Sequence, residues 1–486
     1  MLHILKNSGY YDILCITVRK EGYALVFSSL IFLCLFLPAF LAVYNISKNT
    51  AYRNIILVLF SLIFYAWGEP VWVILLIFSA AIDYINGLII DKYYATNKAR
   101  LALASSLILN LGLLGIFKYS GFITQSINML LPFKLPVPKL SLPIGISFYT
   151  FQTLSYTIDV YRGKTKVQRS FMRFLAYVSM FPQLVAGPIV RYTDVSRQLH
   201  KRNVTATDFS HGAKRFTAGL CKKVLLANNA GNTAQMLLSA SIPTTASSWL
   251  GIIMYTFQIY FDFSGYSDMA IGMGRMLGFR FAENFDYPYI SKSITDFWRR
   301  WHISLSSFFR DYVYIPLGGG RLNPVRNILF VWILTGLWHG ASWNFILWGA
   351  FYGILLILEK FPLKKVINRL SSPFCYIYTM FFVVMGWGIF YFTDLTELWA
   401  FLRHAFGFGC DLYDLTTASA LYSNLWFIVI CILVSTPIPK VMFRHFCKKS
   451  EVIANIAEPL VMIIGFALSF LMLVGQTYNP FLYFRF

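Results

Sequence analysis

Charge is what this 486-residue chain has least of: Asp, Glu, Lys and Arg make up 13% of it, against about a quarter in an ordinary soluble domain. That scarcity excludes a conventional soluble globular fold. Acids are rarer than bases, 21 against 42, which leaves a formal net charge of +21. In a soluble protein this excess would suggest nucleic acid. No basic platform interleaved with aromatics stands apart from the apolar runs, however, so nucleic-acid binding is not expected. Cysteine is sparse as well. The seven residues Cys15, Cys34, Cys221, Cys375, Cys410, Cys431 and Cys447 show no CxxC spacing, which argues against a zinc site and against a disulfide framework. No metal site is expected. Residues 1–20 carry charges and no long apolar core, so they do not read as a cleavable leader.

What the chain has in abundance is apolar surface. Hydrophobic residues make up 57% and aromatics 18%. Charge-free runs recur at 22–47, 101–117, 140–158, 174–190, 327–358, 370–393, 415–439 and 459–484. A crossing helix needs about 20 apolar residues, so the shorter runs must recruit flanks, tilt or re-enter. The expected class is an all-α polytopic integral membrane protein. It would have a single membrane-embedded domain over 23–486, preceded by an extension over 1–22.

Lys and Arg collect in short loops, which the positive-inside bias assigns to the cytoplasm. Lys360, Lys364, Lys365 and Arg369 mark one such loop, and Lys440, Arg444, Lys448 and Lys449 another. The connection between them is acidic, with Asp394, Glu397, Asp411 and Asp414 against Arg403. Run 370–393 therefore leads outward, 415–439 returns, and 459 onward leaves again, which puts the C-terminus outside.

Several stretches should not be simple spans. Glu69 and Pro70 interrupt an apolar region as an interfacial turn. Pro132, Pro136, Pro138 and Pro143 forbid regular helix over 131–142. The prolines and glycine of FPQLVAGPIVR, residues 181–191, predict a break that protein or a water-filled cavity must satisfy. Residues 141–163 mix Gln152, Ser155 and Asp159 with aromatics and suit a segment facing a polar cavity; a conventional helix with small residues at a helix interface is the alternative. Residues 208–238 read as an amphipathic helix on the cytoplasmic surface. Asp262, Ser264, Ser267 and Asp268 follow in an aromatic setting, where acids need partners. Arg275, Arg299 and Arg300 are the candidates, either as part of a polar path or as structural anchors.

From 327 to 358 there is no Asp, Glu, Lys or Arg, so His339 is the only group there that titrates near neutral pH. A straight helix of that length would run about 48 Å, against a hydrocarbon core of about 30 Å. Basic residues also flank both ends. A broken or re-entrant pair turning near Gly336 and Gly340, with His339 at mid-depth, satisfies both facts; a tilted span with its arginines shielded by protein is the alternative. An imidazole in such a place can serve as a general base, taking a hydroxyl proton as the oxygen attacks an acyl thioester.

The blocks FWRRWHISLSSFFRDYVYIPLGG (297–319) and LTGLWHGASWNFILWG (334–349) resemble the signature of the membrane-bound O-acyltransferases, in particular the bacterial branch typified by alginate O-acetyltransferases. The resemblance implies roughly eleven transmembrane or re-entrant helices around a central tunnel, and His339 as the active-site histidine. His302 matches a second family position, where it would orient substrate, bond near the thioester or support the fold. Trp298, Trp338, Asn344 and Asp262 complete the expected site. Arg299, Arg300 and Arg310 would attract the phosphates of a donor such as acetyl-CoA, or else meet lipid headgroups or Asp311. No cofactor would stay bound, because the thioester is a substrate. The last residues, FLYFRF, resemble an aromatic F-x-Y-x-x-F pattern in which a tyrosine, here Tyr483, carries the acyl group outward; an aromatic interface belt is the other reading. The resemblance further implies a bacterial inner-membrane enzyme that O-acetylates an envelope polysaccharide with a periplasmic esterase-like partner. D-Alanyl transfer from a carrier protein is the nearest alternative. A polysaccharide or lipid transporter is less expected, since neither histidine block recurs as a transporter's internal repeats would.

Overall fold

The computed structural model describes residues 25–184, 187–449, 451–475 and 481–482, and every regular element among them is helical. The expected extension over 1–22 and Tyr483 lie outside the described residues. In chain order the first elements are α1 (Phe32–Asn45), α2 (Thr50–Gly68), α3 (Val73–Lys92), α4 (Asn97–Asn128) and α5 (Ile146–Tyr161). Next, α6 (Ala206–Cys221) continues through a π-helical turn into α7 (Asn228–Leu238), and α8 (Thr245–Met276) runs back beside them. Short helices α9 (Ile294–Arg300) and α10 (Ile303–Phe309) precede α11 (Pro324–His339) and α12 (Trp343–Lys360). The last are α13 (Ser372–Tyr391), α14 (Leu395–Ala405), α15 (Leu415–Val434) and α16 (Glu451–Val474).

Six of these are long and apolar enough to cross a membrane: α2, α3, α4, α13, α15 and most of α16. They bury little of themselves, and Ile74, Leu101 and Ile108 are each 70% exposed. Surfaces of that kind belong against lipid. The interior is more polar than the rim. Helix α5 buries Thr150, Gln152, Thr153, Ser155, Thr157 and Asp159. Asp83 on α3 is equally enclosed, taking hydrogen bonds from Ser106 Oγ at 2.5 Å and Asn110 Nδ2 at 2.8 Å. The chain is a multi-pass membrane protein that keeps many of its polar groups inside the bundle.

Most expected breaks are present. Helix α2, capped by Asn49 through Ala51 N at 2.8 Å, stops at Gly68 before Pro70. Residues 131–144 form no helix, and the helix over Phe171–Ser179 gives way at Met180. Three expectations need correction. The described helix in the first run begins at Leu30 rather than near 22, since apolarity alone does not separate helix from a buried turn. Helix α4 overruns 101–117 at both ends, because long basic side chains can stay in a helix while their heads reach water or acceptors.

The third correction concerns residues 208–238, whose basic side faces a neighbouring helix. Helices α6 and α7 pair along their length with α8, main chain against main chain. A Cβ on Gly212 would sit 2.6 Å from the Gly272 carbonyl oxygen, and one on Gly219 2.5 Å from that of Gly265. The basic residues that suggested a headgroup-facing side instead cross to acids of α8. Arg215 and Lys222 hold Asp268 at 2.6 and 2.7 Å, and Lys223 holds Asp262 at 2.6 Å. None of the arginines expected to partner these acids does so.

The charge-free stretch 327–358 is a broken pair, as its length requires. Helix α11 ends at His339, Gly340 is extended, and α12 starts at Trp343. The two halves touch through glycine: a Cβ on Gly336 would lie 2.1 Å from the Phe345 carbonyl oxygen, and one on Gly349 2.3 Å from that of Trp332. Gly336→Ala should therefore cost at least about 2 kcal/mol, because the clash is with backbone that cannot rotate away. Thermal unfolding of the detergent-solubilised chain measures it, and a wild-type transition would show that the halves can part freely.

Candidate active site

His302 sits at the start of α10 with φ +44°, an uncommon backbone conformation for a residue other than glycine. What holds it there is the segment before α9. Ile303 N donates to the Asn284 carbonyl at 3.0 Å, and Asp286 N donates to that of Arg300 at 3.0 Å. The Asn284 side chain, fully buried, closes the arrangement. Its amide nitrogen donates to Ser267 Oγ at 3.1 Å, while its oxygen accepts from Ser304 N at 3.2 Å and Ser304 Oγ at 2.9 Å. That same oxygen lies 3.1 Å from His302 Nδ1. An oxygen cannot donate, so Nδ1 carries the proton and Nε2 presents its lone pair. Nε2 is buried and has no partner among the described residues. Asn284 thus fixes the tautomer of His302 and leaves Nε2 unprotonated. Asn284→Ala should lower turnover about tenfold to a hundredfold through misplacement of the ring. Asn284→Asp, which keeps the acceptor, should recover most of it in an acyl-transfer assay.

His339 closes α11 and is 4% exposed. Trp338 and Trp348 stand edge-on to its ring at 4.9 Å, and Phe390 at 5.3 Å. The Trp338 ring lies 5.9 Å from that of His302, so one indole borders both imidazoles. The two histidines, 37 residues apart in the sequence, are gathered in one aromatic cluster. The indole nitrogens of Trp338 and Trp348, whose rings border His339, have no acceptor among the described residues. Such groups could bond a thioester carbonyl or a developing oxyanion.

The other expected residues divide. Trp298 packs edge-on to Trp332, Trp348 and Tyr352 in the same cluster. Asn344 donates to the carbonyls of Ile389 at 3.2 Å and Phe390 at 3.4 Å, which ties α12 to α13 behind His339. It therefore supports the cluster. Arg300 is paired with Asp286 and Asp296, Arg310 with Asp311, and Arg299 is exposed. Asp262, besides Lys223, accepts from Leu482 N at 2.7 Å. The neighbouring Phe481 packs 4.7 Å from Tyr266 and 6.0 Å from Phe263, and Phe263 lies edge-on to His302 at 4.7 Å. Phe481 and Leu482 are thus buried inside the protein and do not form an interface belt.

Sequence reasoning missed Asn284, Lys223 and Glu359. Asn284 lies in an unremarked loop, and Lys223 looked like one basic residue among several. Glu359 takes hydrogen bonds from Ile294 N at 2.6 Å and Thr295 N at 2.8 Å, which anchors the first turn of α9 to the end of α12. It falls one position beyond the charge-free run, and that position was its only signal. A cleft of about 1160 Å³ opens beside this centre, lined by Lys214, Arg215, Arg275, Arg280, Lys440 and Arg444 among others. Ile303, the residue after His302, also lines it.

Residues 166–401 match the family model for MBOAT, the membrane-bound O-acyltransferase family. The chain is 39% identical over 502 residues to the probable alginate O-acetylase AlgI of Azotobacter vinelandii, covering 95% of this chain and 100% of that protein. It is 40% identical over 488 residues to the protein of the same name from Pseudomonas putida, with the same coverage of each chain. A peptidoglycan O-acetyltransferase of Helicobacter pylori is 33% identical over 441 residues, covering 83% of this chain and 84% of that one. With two buried histidines meeting on one indole inside a helical membrane bundle, and relatives matched from end to end, the chain belongs to the membrane-bound O-acyltransferase family.

Proposed function

We propose that this O-acyltransferase takes an acetyl group from a cytoplasmic thioester and delivers it through the bacterial inner membrane for O-acetylation of an envelope polysaccharide. The observation that carries the reading is the proximity of His339 to the ring of His302, whose Nε2 has no partner among the described residues, with one indole, Trp338, against both. His339 removes the proton of an acceptor hydroxyl as its oxygen attacks the thioester carbonyl. The carbon–sulfur bond then breaks, the thiolate leaves, and the imidazolium returns the proton to sulfur. The indole donors of Trp338 and Trp348 are available to the oxyanion formed on the way.

The basic cleft suits the donor's phosphates, because guanidinium groups bind phosphate in paired hydrogen bonds. Arg215, Arg275 and Arg280 already answer Asp268, Glu283 and Asp208, so Lys440 and Arg444 in the cleft take over the role first expected of Arg299 and Arg300. Acetyl-CoA is the donor this favours, arriving from the side that the positive-inside bias makes cytoplasmic. On the same bias α16 runs outward, the C-terminus is external, and a central passage among roughly eleven segments joins the two faces. Tyr483 receives the acetyl group on its phenol oxygen, and a periplasmic esterase-like transferase passes it to the polymer. The names of the long-matching relatives, alginate and peptidoglycan O-acetyl enzymes, support acetyl over D-alanyl.

The test uses the purified full chain with isotopically labelled acetyl-CoA, followed by proteolysis and mass spectrometry. Label on the C-terminal peptide at Tyr483, absent from a His339→Ala variant, is the expected result. Thioester turnover with no label on that peptide would sink the relay. No turnover at all would sink acetyl-CoA as the donor.

A further inference from the structure

The interior holds one more ionisable group that the mechanism above does not use. Lys118 lies well inside α4, a membrane-spanning helix, and points inward. An ammonium at that depth is expensive and needs a purpose. Its two acceptors are both main-chain carbonyls: Lys118 Nζ donates to that of Trp338, and to that of His339 at 3.3 Å. No carboxylate among the described residues pairs with it. The next residue continues the pattern, since Tyr119 Oη donates to the Leu337 carbonyl at 2.7 Å.

These three carbonyls belong to the last three residues of α11. The final turn of any helix leaves its carbonyls without intrahelical partners, and here the helix ends in the protein interior. The negative end of the helix dipole also favours a cation. Two adjacent residues of α4 supply the missing donors and the charge, and the helix end so held is the one that bears His339.

Taking His339 to be the base, as proposed above, we infer that Lys118 and Tyr119 form a clamp that positions it. Lys118 touches neither substrate nor the imidazole's nitrogens in this arrangement; it acts through the main chain of Trp338 and His339. The same hold governs Trp338, the indole that borders both histidines. A shift of about 1 Å at a reacting group is enough to lose about a hundredfold in rate.

The experiment measures acetyl-CoA turnover by the full chain in detergent, read as free thiol, together with thermal unfolding. Lys118→Met removes the donors and the charge but keeps an apolar chain of similar length, and should not unfold the protein. Its kcat should fall tenfold to a hundredfold with the KM for acetyl-CoA within twofold. Lys118→Arg, which restores donors and charge, should recover kcat to within about threefold of wild type. Tyr119→Phe, which removes only the bond to Leu337, should lose about threefold in kcat. A Lys118→Met protein with wild-type kcat overturns the clamp, and so does a loss that appears in KM alone or one that arginine does not repair. If Lys118→Met fails to accumulate, unchanged kcat in Tyr119→Phe overturns it instead. His339→Ala is measured alongside. Retained turnover there removes the base assignment, whereas its loss with the clamp variants unaffected removes the clamp alone.

Discussion

His339→Ala should lower acetyl transfer by about 10²–10⁴, the usual contribution of a positioned proton acceptor, while leaving the polymer itself at the cell surface. The argument rests on separating chemistry from packing. The imidazole fills space between Trp338, Trp348 and Phe390, so its removal also opens a small cavity. His339→Gln keeps much of that volume and offers a poor base, and it should be as inactive as alanine. Acetyl content of the polymer and its total yield are the two measurements. Loss of acetyl with normal yield fits an enzyme. Loss of yield would instead make the protein part of the export route, and activity above a tenth of wild type would shift the proton transfer to His302.

The second large effect should come from Asp262. Its side chain is 2% exposed and that of Lys223 6%, so the pair is sealed from solvent. Removing Asp262 takes away the carboxylate that faces the buried ammonium of Lys223, a change that costs about 3–5 kcal/mol in buried pairs. Asp262→Ala also strips the acceptor from Leu482 N and loosens the tail segment packed on Tyr266. Asp262→Leu combined with Lys223→Met removes both charges and should recover most of the stability, since well-packed apolar replacements of such pairs are often neutral. Thermal unfolding of the three proteins decides. A single variant within about 1 kcal/mol of wild type, or a double variant as damaged as the single, would show that the pair is not isolated from other charges.

Much of this centre is legible in the sequence. Thirty-two residues without Asp, Glu, Lys or Arg are too long for one crossing, and glycines at 336 and 340 mark the break that brings His339 inside. Pro70 and the prolines of 131–142 announced their interruptions for equally local reasons. What stayed hidden depends on who meets whom across the fold. Asp262 and Asp268 plainly needed cations, but the nearest arginines in the sequence were not the ones that arrived; Lys223, Lys222 and Arg215 came from the adjoining helix. The amphipathic pattern of 208–238 was real, yet charges that answer acids on a neighbouring helix look the same in sequence as charges that answer phosphate headgroups. Asn284 gave no sign at all, because its importance lies in three hydrogen bonds converging on one oxygen.

The hairpin of α6, α7 and α8 touches backbone to backbone at two separate places, Gly212 with Gly272 and Gly219 with Gly265. Two such points fix the register of the helices, since neither can slide along the other without driving a side chain into a carbonyl. This unit therefore behaves as a stiff spine. Any movement that admits a substrate to the two histidines has to be carried by the elements leaning on it.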